Sequence, residues 1–118
     1  MAVKRIVANL STDTVAEVRD FYQELFELET VMDMGWIATL SNGASMPVQL
    51  SIASEGGSGT AVPDLTIEVT DVQEVYARAQ NMGLMIAYPL THEPWGIRRF
   101  FLRDPSGRLL NVAEHTTP

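Results

Sequence analysis

Three sets of residues in this chain have the types and spacing to do chemistry: His92-Glu93, Arg98-Arg99, and a scatter of aromatic side chains around them. His92 and Glu93 precede Pro94-Trp95, which predicts a loop where an imidazole beside a carboxylate would serve acid/base work. Adjacency in sequence does not imply convergence in space, so an exposed loop histidine beside an acid is the favoured reading. Arg98 and Arg99 have the forked geometry that clamps a carboxylate or phosphate. A structural ion pair is favoured for one of them, with Asp104 or a helix carboxylate as partner. Glu114 and His115 fall at the end of the last strand-like segment, where a solvated strand end is expected. Trp36, Tyr88, Trp95, Phe100, Phe101 and the methionines Met32, Met34 and Met46 are either a ligand surface suited to a flat molecule or ordinary core. Alternation along 97–103 places Arg98, Phe100 and Leu102 on one face and Arg99, Phe101 and Arg103 on the other. Both faces mix charge with apolar surface, so the ligand side of that strand stays open.

Composition removes several classes of partner. Fifteen acids against eight basic residues give a net charge of −7. Nucleic acid and anionic membranes both need basic surface, so neither is expected as a partner. No cysteine is present, which removes disulfides, thiolate catalysis and cysteine zinc sites. The opening MAVKRIVANLSTD has no uninterrupted apolar stretch, and no run approaches the ~18 residues that span a bilayer. A soluble cytoplasmic protein is the expectation. No phosphate-cradling glycine loop or G-x-S-x-G elbow occurs.

Periodicity supplies the frame for these residues. A strand is predicted over 3–10, then a helix over 14–28 from Val15, Val18, Tyr22, Leu25 and Phe26, opened by Thr14 and Glu17 at capping-box spacing. Strands follow at about 29–33, 35–41 and 46–53, and SEGGSGTAVP at 54–63 has the composition of a flexible linker. The order then repeats: a strand at 64–69, caps at Thr70 and Asp71, and a helix marked by Val72, Val75, Tyr76 and Ala79 that ends near Gly83. Strands near 84–90, 97–103 and 108–114 complete the chain, with Asp104-Pro105-Ser106-Gly107 as a structural turn. The halves align with Asp13 on Asp71, Leu40 on Leu102 and Gln49 on Asn111. A single α+β domain over 1–118 is therefore expected, built from βαβββ modules of about 1–54 and 63–118.

This module order, the Phe21-Tyr22 pair and the block WGIRRFFLRDPSGRLL resemble the vicinal oxygen chelate superfamily of glyoxalases, bleomycin-resistance proteins and extradiol dioxygenases. The small bleomycin-resistance branch is the most similar. The resemblance implies modules curled into a half-barrel cup with helices on the outer face, and pairing into a homodimer. It places the metal positions of the family's enzymes, mostly His and Glu there, at Ile6, Gln49, Asp64 and Asn111. Those residues offer one carboxylate and two amides, and neighbouring Arg5, Val7, Val48 and Leu50 add nothing better, while Glu68 and Glu114 stand off register. Transition metals want imidazole or several carboxylates, so no metal and no cofactor is expected. The favoured function is metal-independent binding of a hydrophobic or aromatic small molecule, as in antibiotic resistance. Its lining would be Trp36, Gln49, Asp64, Tyr88, Trp95, Arg98, Phe100 and Asn111. The rivals are a lyase, isomerase or dioxygenase, metal-dependent or using Asp64 as base, and a regulatory or adaptor domain with a vestigial cup.

Overall fold

The computed structural model describes residues 1–43 and 49–116. Met46 and Val48, named above, lie outside the described residues. The fold is mixed α+β: β1 (Val3–Ser11), α1 (Val15–Phe26), β2 (Glu29–Asp33), β3 (Ile37–Ser41) and β4 (Gln49–Ala53), then β5 (Leu65–Val69), α2 (Val72–Asn81), β6 (Ile86–Glu93), β7 (Ile97–Arg103) and β8 (Leu109–His115). Two βαβββ modules follow one another along the chain. The compact units are Val7–Val62 and, for the second, Pro63–Pro118 together with Met1–Ile6. No helix among the described residues is long and apolar enough to cross a membrane.

In the first unit the sheet order is β2-β3-β4-β1, with β1 parallel to β4 and the other pairs antiparallel. Val15, Ala38, Leu40 and Ile52 form its core, with Leu10, Val18, Tyr22 and Leu28 packed on them. Pleat alternation sends the intervening residues to the other face. There Thr39 and Ser51 lie buried with their hydroxyls 2.7 Å apart.

The second unit repeats the pattern as β5-β8-β7-β6, with β5 parallel to β8. Val69, Val72, Ala79, Phe100, Leu102 and Val112 make the core beneath α2, and Tyr76 meets Phe100 edge-on at 5.0 Å between centroids. Phe100 is fully buried there, so it is a core residue under the helix and leaves the ligand-facing set.

Helix entry differs between the modules. Asp71 caps α2 by accepting the Glu74 N–H at 3.1 Å, and the Glu114 carboxylate accepts the Val72 N–H at 2.9 Å. Thr14 occupies the cap position of α1 but makes no side-chain cap bond. Its hydroxyl sits 3.1 Å from that of Thr12, so the capping box expected with Glu17 does not form. The equivalent caps are thus Thr14 and Asp71, one residue off the Asp13–Asp71 match. The segment with linker composition is a hydrogen-bonded turn, with Gly56 N–H donating to Thr60 O at 2.7 Å. A Cβ at Gly56 would stand 2.1 Å from the Ala61 carbonyl oxygen, so only glycine fits.

Three substitutions test this frame by urea denaturation. Asp71→Ala is expected to cost about 1 kcal/mol and Thr14→Ala clearly less, because only the first hydroxyl or carboxylate makes a cap bond. Phe100→Ala is expected to cost about 3–5 kcal/mol through the cavity it opens beneath α2.

Candidate functional site

Register decides which side chains share a face. In the first module Leu40 pairs with Leu50, and in the second Leu102 pairs with Leu110. The connection between the last two strands is therefore two residues longer in the first module, and Ser51, not Gln49, is the counterpart of Asn111. The parallel pairs agree: Asn9 faces Ser51 as Thr66 faces Asn111. By the same offset Val7, not Ile6, corresponds to Asp64. Deducing equivalence from equal counts in sequence failed because loop length is not conserved between the halves.

These corrections bear on the metal question the family raises. Val7 carries no donor, and the Ser51 hydroxyl is engaged with Thr39. Asp64 is exposed, with its carboxylate accepting the Leu109 N–H at 2.9 Å and its own N–H donating to Leu109 O at 2.8 Å. That reciprocal pair closes the start of β5 onto β8. Asn111 offers a single neutral amide oxygen. Such donors do not repay the dehydration of a divalent transition ion, so the residues present do not fit a catalytic metal. Among the described residues, no three His, Asp or Glu side chains group to hold one.

The face of the second unit opposite α2 is where polar and aromatic groups gather. Register sets Glu68, Ala113 and Arg99 in one row, and Thr66, Asn111, Phe101 and Tyr88 in the next. Arg98 belongs to the other face, with Phe100 and the α2 core. The side of β7 turned away from the α2 core is therefore the Arg99–Phe101 side.

Arg99 is the centre of this face. It is 3% exposed, and so is Glu93, which it meets through Nε at 2.8 Å and Nη2 at 2.7 Å, both on Oε2. The Tyr88 hydroxyl donates to the same carboxylate oxygen at 3.2 Å. The guanidinium carbon lies 5.4 Å from the Tyr88 ring centroid, 5.1 Å from Trp95 and 4.8 Å from Phe101. Three ring faces and a carboxylate thus replace the water a buried cation gives up. Glu93 is consequently no loop residue. β6 runs on to Glu93, and the hairpin sets Glu93 opposite Ile97, diagonal to Arg99 on the same face. His92 points to the other face and is exposed, as expected. The ion pair expected for one arginine is present, with Glu93 in place of Asp104 or a helix acid.

Glu68 is a second hub that sequence reasoning set aside. Its Oε1 lies 3.0 Å from His115 Nδ1 and 3.6 Å from Lys4 Nζ, while Arg5 Nε bonds Oε2. Burial alone would raise this carboxyl, but the Arg5 hydrogen bond and the charges of His115 and Arg5 outweigh it and hold the pKa below the ordinary glutamate value. Glu114 and His115 end β8, and His115 is exposed there as expected. Alternation sends Glu114 to cap α2 and His115 to Glu68.

The remaining expected residues divide plainly. Tyr88, Trp95 and Asn111 lie in the second unit on or beside this face. Trp36 and Gln49 belong to the first unit, both half-buried, with the Trp36 carbonyl accepting the Ser54 N–H at 2.9 Å. Glu93, Arg99, Phe101 and Glu68 stand outside the expected lining although the sequence points to each, and Thr66 was missed. Their signal was the period-2 partner of each residue once the Pro94-Trp95-Gly96 turn is treated as a hairpin end.

Arg99→Met should strand Glu93 and cost about 3–5 kcal/mol in chemical denaturation, whereas adding Glu93→Leu should recover most of it. Glu68 has a lowered folded-state pKa, so its ion pairs stabilise the fold above the unfolded value and are lost as pH falls through the folded value. Stability should therefore drop on acidification below about pH 4.3, and Glu68→Gln should flatten that limb in pH-dependent urea melts.

Comparison with known proteins fits this geometry. A family model described as Glyoxalase/Bleomycin resistance protein/Dioxygenase superfamily matches residues 4–112. No curated protein matches the sequence. Among solved structures, a Legionella pneumophila protein described as an NAD-dependent benzaldehyde dehydrogenase superposes with a TM-score of 0.79 at 16% identity, covering 94% of this chain and 99% of that one. A superfamily member from Vibrio splendidus 12B01 gives 0.70 at 16% identity, covering 97% and 99%. Methylmalonyl-CoA epimerase from Mycobacterium tuberculosis gives 0.64 at 15% identity, covering 98% and 88%. At such identities the likeness is one of fold. With the match spanning nearly the whole sequence, the chain belongs to the glyoxalase/bleomycin resistance protein/dioxygenase superfamily.

Proposed function

We propose that this protein is a metal-independent small-molecule-binding member of its superfamily that sequesters a hydrophobic, partly aromatic ligand. The observation that carries the reading is the donor chemistry at the inherited metal positions: Val7, a Ser51 hydroxyl bonded to Thr39, an Asp64 carboxylate bonded to Leu109 N–H, and a neutral Asn111. Binding needs apolar burial plus a few polar anchors and no reaction chemistry. The face bearing Tyr88, Trp95, Phe101 and Asn111 provides both kinds of group. Bleomycin-like antibiotics are the first ligand class to test, by resemblance. Exposed Phe21, Leu25, Phe26 and Val31, on α1 and β2, support a homodimer, and the absence of cysteine suits a cytoplasmic setting.

The catalytic alternative draws on the methylmalonyl-CoA epimerases among the structural neighbours. It would need Asp64 to give up the Leu109 bond to act as base. An adaptor role would need no ligand at all.

A thermal-shift series with bleomycin, aromatic metabolites and divalent metals separates these. A bound ligand at 100 times its Kd should add about 2.7 kcal/mol of stability, and Trp95→Ala should weaken its affinity at least tenfold. Near-stoichiometric transition metal in protein purified without chelator would overturn the binding reading. Sedimentation equilibrium should show a dimer at micromolar concentration, and a monomer there would remove that part.

A further inference from the structure

α1 carries more apolar surface than its own module covers. At 3.6 residues per turn Val15, Val18 and Tyr22 follow one stripe, and they pack in the core of the first unit. Phe21, Leu25 and Phe26 flank that stripe in the last two turns and stay open, at 56%, 61% and 58% exposed. Their surface is continuous. The Phe21 ring meets Tyr22 edge-on at 5.3 Å between centroids, Tyr22 stacks on Phe26 at 5.9 Å, and Leu25 stands one turn beyond Phe21.

The repeat supplies a control. With Thr14 and Asp71 as equivalent caps, Phe21 corresponds to Arg78 and Phe26 to Gly83. α2 is seated by Val72 and Ala79, both buried, with no aromatic residue at either position. Phe21 and Phe26 are therefore not needed to hold a helix on its sheet, and an open apolar patch of this kind marks a surface for association.

Charge identifies what associates. The first unit has eight acids and one basic residue, against seven of each in the second, so it carries the whole net charge of −7. Two copies repel wherever those acids meet. On α1 the acids Glu17, Asp20 and Glu24 turn away from the Tyr22 stripe. The charged residue beside the stripe is Arg19, bonded to Asp20 and Asp33. A basic protein gains nothing from a face emptied of acids, whereas a second copy approaches there without meeting like charge. Val31 on β2 offers no such opening, since Glu29 and Asp33 flank it two residues away on either side.

We propose that Phe21, Leu25 and Phe26 pack against the same residues of a second copy about a twofold axis, which makes α1 the dimer interface. This rests on the homodimer proposed above and names the surface that forms it. Covering the three side chains on both copies removes on the order of 700 Å² from water, a small interface, so the pairing should be reversible.

Sedimentation of the native chain over a concentration series gives the dimer dissociation constant. Leu25→Glu puts a carboxylate in the middle of the face and is expected to raise that constant roughly tenfold or more. Its thermal midpoint in dilute solution should stay at the native value, because Leu25 is largely exposed in a single chain. Phe21→Arg, which copies the matching position of α2, gives the same readout should the glutamate variant fail to fold. The chain has no cysteine, so single-cysteine variants locate the interface directly. A short bismaleimide should link Leu25→Cys into covalent dimers, but not Asp20→Cys on the far side of α1 nor Val31→Cys. A native dimer that both charged variants leave intact, or that links through Val31→Cys instead, would overturn this proposal and leave the homodimer standing. A monomer at every concentration would defeat both.

Discussion

A guanidinium buried in a sheet has to be neutralised, and much of the second module is arranged around doing so for Arg99. Its charge is met by Glu93, whose position depends on β6 continuing to the Pro94-Trp95-Gly96 turn. Tyr88 reaches the same carboxylate because β6 slips register twice between Ile86 and Thr91, around Pro89, which has no N–H to donate to the ladder. Trp95 and Phe101 then close on the cation from the turn and from β7. One ion pair thus holds a bulged strand, a turn and three aromatic rings in a single arrangement.

The opposite side of the same strand does different work. Phe100 and Leu102 bury against α2 with Val69, Val72 and Val112, supplying the apolar burial that seats the helix. Consecutive residues of β7 therefore serve unlike purposes, with core on one face and a polar, aromatic surface on the other. The pleat makes this separation possible, since a one-residue shift of register would exchange the two faces entirely. The first module repeats the division in muted form, with Leu40 and Ile52 under α1 and the small hydroxyls of Thr39 and Ser51 on the other face.

Much of the frame was legible in the residues. Strands β2 and β7 fall where alternation puts them, and α2 begins at its predicted cap. Phe100 was misplaced because its strand mixes charge and apolar groups on both faces, and only packing against α2 separates them. Pro94 after Glu93 suggests a loop acid, yet the hairpin extends up to that proline. Gln49 was matched to Asn111 by counting, which a two-residue difference in loop length defeats. Glu68 stands off register with the metal positions, and its partners Lys4, Arg5 and His115 lie far from it along the chain.

From its order of residues alone, this protein is a duplicated βαβββ chain of acidic character, without thiols. Those properties are local, being counts, periods and spacings that short-range physics reads directly. Tertiary structure decided which arginine is buried, which acid neutralises it and which aromatic residues surround it. These are matters of strand register and pairing between distant segments, and a shift of one or two residues, invisible in composition or periodicity, changes every one of them.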